Sequence, residues 1–295
     1  MKKLLVLISL LFAIVIYAQT KKPAQTPVSK NLLWKISGNG LSSSSYLFGT
    51  SNFAGKRFAD SLFGIIEKFN ACKVVVSEAI IDSAYLSALS HSMYFSDNTL
   101  DKILTPQEYN VVESCIKSIS TRQLKNLNNF KPAALELYLL SKLYFGDITA
   151  TNPGLVKYFQ IEGKKRGDKI VGLETIEFQM ELNLNSPIED QKRRLLFTIS
   201  KMDAAKKNMT ELNSLYYAQD IVGIYKMMME VDQEFSSMEK DRLLKDRNIK
   251  WMDKIPSIIN DQPTFIAIGA GHLAGNSGLI NLLRSKGYTV TPVKI

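Results

Sequence analysis

The sequence predicts an α/β protein in which two related strand–loop–helix halves form a central sheet, with a large helical insertion between them. Three observations predict it. Short β-branched apolar runs cluster at the two ends of the chain, whereas the stretch from Ala79 to Ile259 carries mostly helical spacing. Strand–helix alternation of this kind favours a sheet with its loops gathered at the strand ends. The third observation is an internal echo. The early segment "YLFGTSNFAGKRFADSLFGII" and the late segment "FIAIGAGHLAGNSGLINLL" both run apolar strand, Gly-x-x-polar, a second small residue, then an amphipathic helix. The polar residue is Asn52 in the first copy and His272 in the second.

Taken in order, Lys2 and Lys3 precede an apolar run from Leu4 to Ala18 broken by Ser9. The run is short for a membrane span and has the form of a signal peptide, so residues 1–18 are expected to direct export. Cleavage after Ala18 would leave no stable membrane anchor and a periplasmic or extracellular protein. Residues 19–30, "QTKKPAQTPVSK", read as a flexible leader, and residues 31–295 as the folded domain. "LWKIS" (33–37) and "SYLFG" (45–49) read as strands joined by a turn-rich segment. Arg57 to Phe69 has Phe58, Leu62, Ile65, Ile66 and Phe69 at the spacing of one helix. "CKVVVSE" is a buried strand that ends on Glu78. Thr105-Pro106-Gln107-Glu108 reads as a capping box with proline at the first helical position, and another helix runs from near Pro132 to Gly146. "KIVGL" (169–173) is a strand that ends beside Glu174. Ser186-Pro187-Ile188-Glu189 repeats the capping signature, and helical patterns then continue almost to Ile259. "TFIAIG", a helix from Ser277 to Lys286 and "YTVTPVK" make a terminal βαβ unit.

Composition narrows the chemistry. The formal charge of +9 becomes 9 − 2 = +7 without Lys2 and Lys3, and the basic residues are interspersed with acidic ones. Without a basic stripe interleaved with aromatics, nucleic-acid binding is not expected. Only two histidines are present, with no Gly-x-Ser-x-Gly turn, which argues against a serine hydrolase. There is no P-loop, and in "GAGHLAG" the third glycine falls one residue late for a dinucleotide fingerprint. Cys72 and Cys115 could pair after export or stay as buried thiols; spacing does not decide. His91, on a helix without polar company, reads as structural, and Met227 to Met229 as helix core.

Asn52, Glu78, Glu174 and His272 all follow predicted strands, where ligands sit in open α/β sheets. Gly49, Gly269 and Gly271 beside them would let the backbone approach a ligand or cofactor closely. One imidazole and two carboxylates form a reasonable donor set for a divalent metal, with Asn52 a weaker oxygen ligand. The bland alternatives are a loop-bonding histidine and two carboxylates that cap the following helices. Arg247, in "KDRNIKW", fits either a surface ion pair or an anion-binding group.

At these residues the chain resembles the TraB/GumN family, which includes pheromone-shutdown and Tiki protease-like members. The resemblance runs through "LWKISG", "YLFGT", "VVVSEA", "VGLETIEFQ", "DRNIKWMDKI" and "FIAIGAGHLAGNSGLINLLRSKGYTV". It implies a metal-dependent hydrolase, a peptidase acting on a peptide or protein, with Glu78, Glu174, Arg247 and His272 as catalytic positions. It also implies metal ligands at His272, Glu78 and the end of the first Gly-x-x-His motif. Here that motif is Gly49-Thr50-Ser51-Asn52, which lacks the histidine, and Val156 stands where an acidic residue is expected. An amide oxygen is a poorer donor than imidazole to Mn, Co or Zn, so binding is expected to be weak or absent. The rival reading is a catalytically inactive relative that keeps the cleft to bind a peptide or partner protein.

Overall fold

A computed structural model describes residues 30–144, 148–231 and 237–295. The signal-peptide reading, and all of the leader but Lys30, lie outside the described residues. So does Gly146, the expected end of the helix that starts at Pro132.

Six strands form one sheet: β1 (Leu33–Ser37), β2 (Ser45–Thr50), β3 (Val74–Ser77), β4 (Lys169–Gly172), β5 (Thr264–Gly269) and β6 (Thr289–Pro292). Their spatial order is β4-β3-β5-β2-β1-β6. β4, β3, β5 and β2 are mutually parallel, whereas β1 is antiparallel to both β2 and β6. The strands of the expected terminal βαβ unit, β5 and β6, therefore point the same way but are separated by β2 and β1. The two echo segments instead supply adjacent strands, with Thr50 opposite Gly269. β5 lies at the centre and buries Phe265, Ile266, Ala267 and Ile268, as a fully covered parallel strand requires. Phe48, Phe69, Phe159 and Phe265 interlock as tilted and edge-on rings beneath it.

The helical insertion has its own apolar cluster, centred on Leu100, Val112, Ile116, Leu135, Leu139, Leu184 and Leu195. Gln191 ties that cluster together: its amide nitrogen donates to the Leu184 and Ser186 carbonyls, and its oxygen accepts from the Ala133 amide. The capping box at Thr105 forms as predicted, with both reciprocal bonds to Glu108. The one at Ser186 does not form. Pro187 is the N-cap residue of the helix Ile188–Ser200, and the Ser186 hydroxyl is buried without a partner.

Other expectations also need correction. The helix read over Arg57–Phe69 breaks at Leu62 into Lys56–Ser61 and Phe63–Asn70. Its first turn is held by Asn152, whose Oδ1 accepts from the Arg57 amide, and the backbone of Leu62 leaves the helical region at φ −116° and ψ 82°. Beyond Ser200 the helical run divides repeatedly, and includes π-helical segments at Met227–Val231 and Asp241–Lys245. Both cysteines are free: Cys72 packs into the sheet core, and Cys115 against the insertion's cluster.

Candidate functional site

Because β2, β3, β4 and β5 are parallel, their C-terminal ends fall on one edge of the sheet, and the residues that follow them meet there. The Leu173 amide donates to the Ser77 carbonyl and the Glu174 amide to the Glu78 carbonyl, which carries the pairing past the strands and sets the two carboxylates side by side. His272 ends a short 3-10 turn, Ala270–His272, directly after β5. The fourth component comes from far along the chain. The helix Asp246–Trp251 crosses the edge and presents Arg247 and Trp251, four residues apart, on one face.

Arg247 is the hub, and each of its five side-chain N–H groups has an acceptor. Nε donates to Glu174 Oε1 at 2.7 Å and Nη2 to Glu174 Oε2 at 2.9 Å, a bidentate pair. Nη2 also donates to Glu78 Oε2; Nη1 donates to the Leu243 carbonyl at 3.1 Å and faces His272 Nε2 at 3.2 Å. Glu174 accepts further bonds from Trp251 Nε1 at 2.9 Å and from the Gln179 amide. Glu78 Oε1 accepts from the Gly269 amide at 3.0 Å. Neither carboxylate caps a helix: Asp82 and Thr175 do that for the helices that follow.

These contacts fix the protonation states. Burial alone would raise the Glu78 carboxyl, but Arg247, His272 and the Gly269 amide outweigh it and hold it down at about 2. Burial pushes His272 down to about 4, with Glu78 opposing the shift and Arg247 adding to it. The imidazole is therefore neutral near pH 7. Arginine only donates, so Nε2 accepts from Arg247 and the proton sits on Nδ1, which donates to Asn248 Oδ1 at 2.7 Å. Asn248 is itself pinned, its amide nitrogen donating to the His272 and Ser277 carbonyls.

The four residues read as catalytic from the sequence, Glu78, Glu174, Arg247 and His272, are thus brought into one buried cluster. Asn52 is not part of it; it is exposed and lines the cavity above, which has a volume of about 510 Å³. Glu78, Arg247, His272, Tyr85, Val156 and Met228 also line that cavity. Met228 is therefore a cavity wall rather than pure helix core. Protein atoms pack close against the motif glycines. A Cβ on Gly49 would press on Ala270, one on Gly269 would meet Glu78 Oε1 at 3.2 Å, and one on Gly271 would strike Met228. His91 is exposed on its helix, where its Nδ1 hydrogen-bonds the Ser87 carbonyl, away from this cluster.

The donors do not fit a divalent ion as they stand. The Nε2 lone pair of His272 and Oε2 of Glu78 both face the Arg247 guanidinium, and His272 Nε2 lies 3.9 Å from Glu78 Oε1. Among the described residues no group of three His, Cys, Asp or Glu side chains is placed to hold a metal. Sequence reasoning missed Asn248, Trp251 and Gln179. The first two were within reach, since they stand one and four residues after Arg247 on the same helix.

With the geometry established, comparison with known proteins places the chain. The profile of the TraB/PrgY/gumN family matches residues 32–292, nearly the whole described region, so the chain belongs to that family. It is also similar to a protein of Nematostella vectensis named metalloprotease TIKI homolog, at 33% identity over 72 residues. That match covers 23% of this chain and 14% of the relative, so it spans about a seventh of the relative's length.

Proposed function

From membership of the TraB/PrgY/gumN family, we propose that this protein is an exported cleft protein that captures a peptide or protein segment and does not hydrolyse it. One observation carries this reading: the groups a hydrolase would use are consumed by one another. Glu78 is held ionised down to about pH 2 and His272 neutral down to about pH 4. The atoms either would turn toward a substrate or an ion, Glu78 Oε2 and His272 Nε2, both accept from the Arg247 guanidinium. The cavity keeps what capture needs. Leu182, Leu212, Ile224 and Leu243 offer apolar surface, while Ser51, Asn52 and Gln179 offer polar groups for a peptide backbone.

A second reading, a metal-dependent peptidase, is favoured by the shared exposure of His272 and Glu78 to one cavity and by the name of the partial relative. Turnover of a quenched fluorogenic peptide pool, with and without Mn²⁺, Co²⁺ or Zn²⁺, separates the two. Capture predicts no turnover above that of His272→Ala and Glu78→Ala, and peptide retention by all three proteins. Turnover in the wild type that both variants lose would establish the peptidase. Export is part of the proposal and rests on Lys2, Lys3 and the apolar run Leu4–Ala18. N-terminal sequencing of protein recovered outside the cytoplasm is expected to begin at Gln19. Among the described residues no helix is long and apolar enough to cross a membrane.

A further inference from the structure

We infer that a second cavity, walled by the helical insertion and apart from the Arg247 cluster, binds a medium-chain fatty acid with its carboxylate at Lys201. The inference is independent of whether the cleft above Glu78 captures a peptide.

The cavity has a volume of about 490 Å³, which falls within the range of small-molecule sites. Its walls are the helices Pro132–Tyr144, Ile188–Ser200 and Met202–Tyr217. Ala133, Glu136, Leu137 and Leu140 form one face of the first helix. Arg194, Phe197 and Thr198 repeat that spacing on the second, which leads to Lys201 at the joint with the third. The third helix turns Ala204 and Ala205 towards them, and these small side chains leave the space between the helices open. Leu137 and Phe197 stay 43% and 37% exposed, large apolar groups that a ligand would cover. Met209, Met227 and Met228 add unbranched walls that adapt to a flexible chain.

The charge of the lining selects the head group. Glu136 is already engaged: its Oε1 accepts from the Thr198 hydroxyl at 2.7 Å, and Arg194 Nε lies 3.9 Å from its Oε2. Among the described residues the Lys201 ammonium has no hydrogen-bond or ionic partner, and neither has the side-chain amide of Asn208, two turns further along the third helix. One uncompensated positive charge and one free amide donor suit a single carboxylate.

The third helix also gives the cavity a direction. Lys201, Ala204, Ala205 and Asn208 line this cavity alone, Leu212 lines both this cavity and the cleft, and Tyr216 lines only the cleft. From Lys201 to Leu212 the rise is about 16 Å at 1.5 Å per residue, room for one acyl chain of medium length. The tail would end on Leu182, Leu212, Met228 and Leu243, the apolar partition that the two cavities share. One chain fits such a space, whereas the two chains and head group of a phospholipid do not.

The test titrates decanoate into the protein by calorimetry at pH 7, with decanol and decyltrimethylammonium as probes of equal chain length and different head. Wild type is expected to bind one decanoate per chain, decanol more weakly and the ammonium not measurably. Lys201→Glu is expected to weaken decanoate roughly ten- to hundredfold, the loss of one charge-assisted hydrogen bond. Ala205→Trp fills the cavity and is expected to abolish binding of decanoate and decanol alike. Ala204 is exposed, so Ala204→Trp is measured beside it as the variant that keeps the fold. Equal binding of all three probes would overturn the inference, as would unchanged decanoate affinity in Lys201→Glu. So would a folded wild type that ignores decanoate. If that wild type still retained the fluorogenic peptide pool and the tryptophan variants did not, the cavity would belong to a peptide side chain. If it instead bound phosphatidylglycerol vesicles through Lys201, the face would belong to a membrane surface.

Discussion

Acidification from pH 7 to pH 5 is expected to destabilise this protein chiefly through His272. The imidazole titrates at about 4 in the folded chain, against an ordinary value of 6.5. Between those values the unfolded chain takes up a proton at this position that the folded chain refuses, so lowering the pH favours unfolding. The contribution is fully present above 6.5 and is lost as the pH falls towards 4. At pH 5 the shift corresponds to about 2 kcal/mol, or roughly 4–8 °C in Tm for a domain of this size. Glu78 acts lower down: its carboxyl is depressed from 4.5 to about 2, so the stability it adds is present above 4.5 and fades only below that. The window from pH 7 to pH 5 is therefore dominated by the histidine, with the lowered carboxylates entering only near its acidic end. The assay is urea unfolding at pH 7, 6 and 5 for wild type and His272→Gln. The variant is expected to be less stable at pH 7 but to lose about 2 kcal/mol less than wild type on acidification. A wild type with flat stability from pH 7 to 5 would refute the buried, neutral imidazole. A variant that follows the wild-type slope would assign the effect to other groups.

Two further substitutions test the contacts that shape the site and its support. Tyr216 is buried and its hydroxyl donates to the Gly49 carbonyl at 2.9 Å, bracing the loop that carries Asn52. Tyr216→Phe is expected to cost about 1–2 kcal/mol in urea unfolding; a neutral result would mean that water replaces the hydroxyl. The two capping signatures should respond in opposite ways. Thr105→Ala is expected to cost about 1 kcal/mol, whereas Ser186→Ala should be neutral or stabilising by up to about 1 kcal/mol, because that hydroxyl is buried without a partner. Equal losses at both positions would restore the cap that the sequence suggested.

The division between what could be read along the chain and what could not follows the range of the interactions. Signals carried by a few consecutive residues came through. The short apolar runs gave all six strands, Thr105 and Glu108 gave a real capping box, and the paired Gly-x-x-polar segments became neighbouring strands. Local rules failed where a distant partner outweighed them. Gln191 takes the carbonyls around Ser186, a serine that then caps nothing. The sequence by itself determined that Glu78, Glu174 and His272 follow strands, since strand ends are fixed by local apolar pattern. Only the tertiary structure decided what they do there. Arg247 reaches Glu174 and Glu78 across 73 and 169 positions of chain, and its two carboxylates come from strands on the same side of β5. Strand order and the crossing of one short helix turned three metal-like donors into the shell of a guanidinium. No local pattern encodes that outcome, because the deciding interactions are electrostatic contacts between segments that share no sequence neighbourhood.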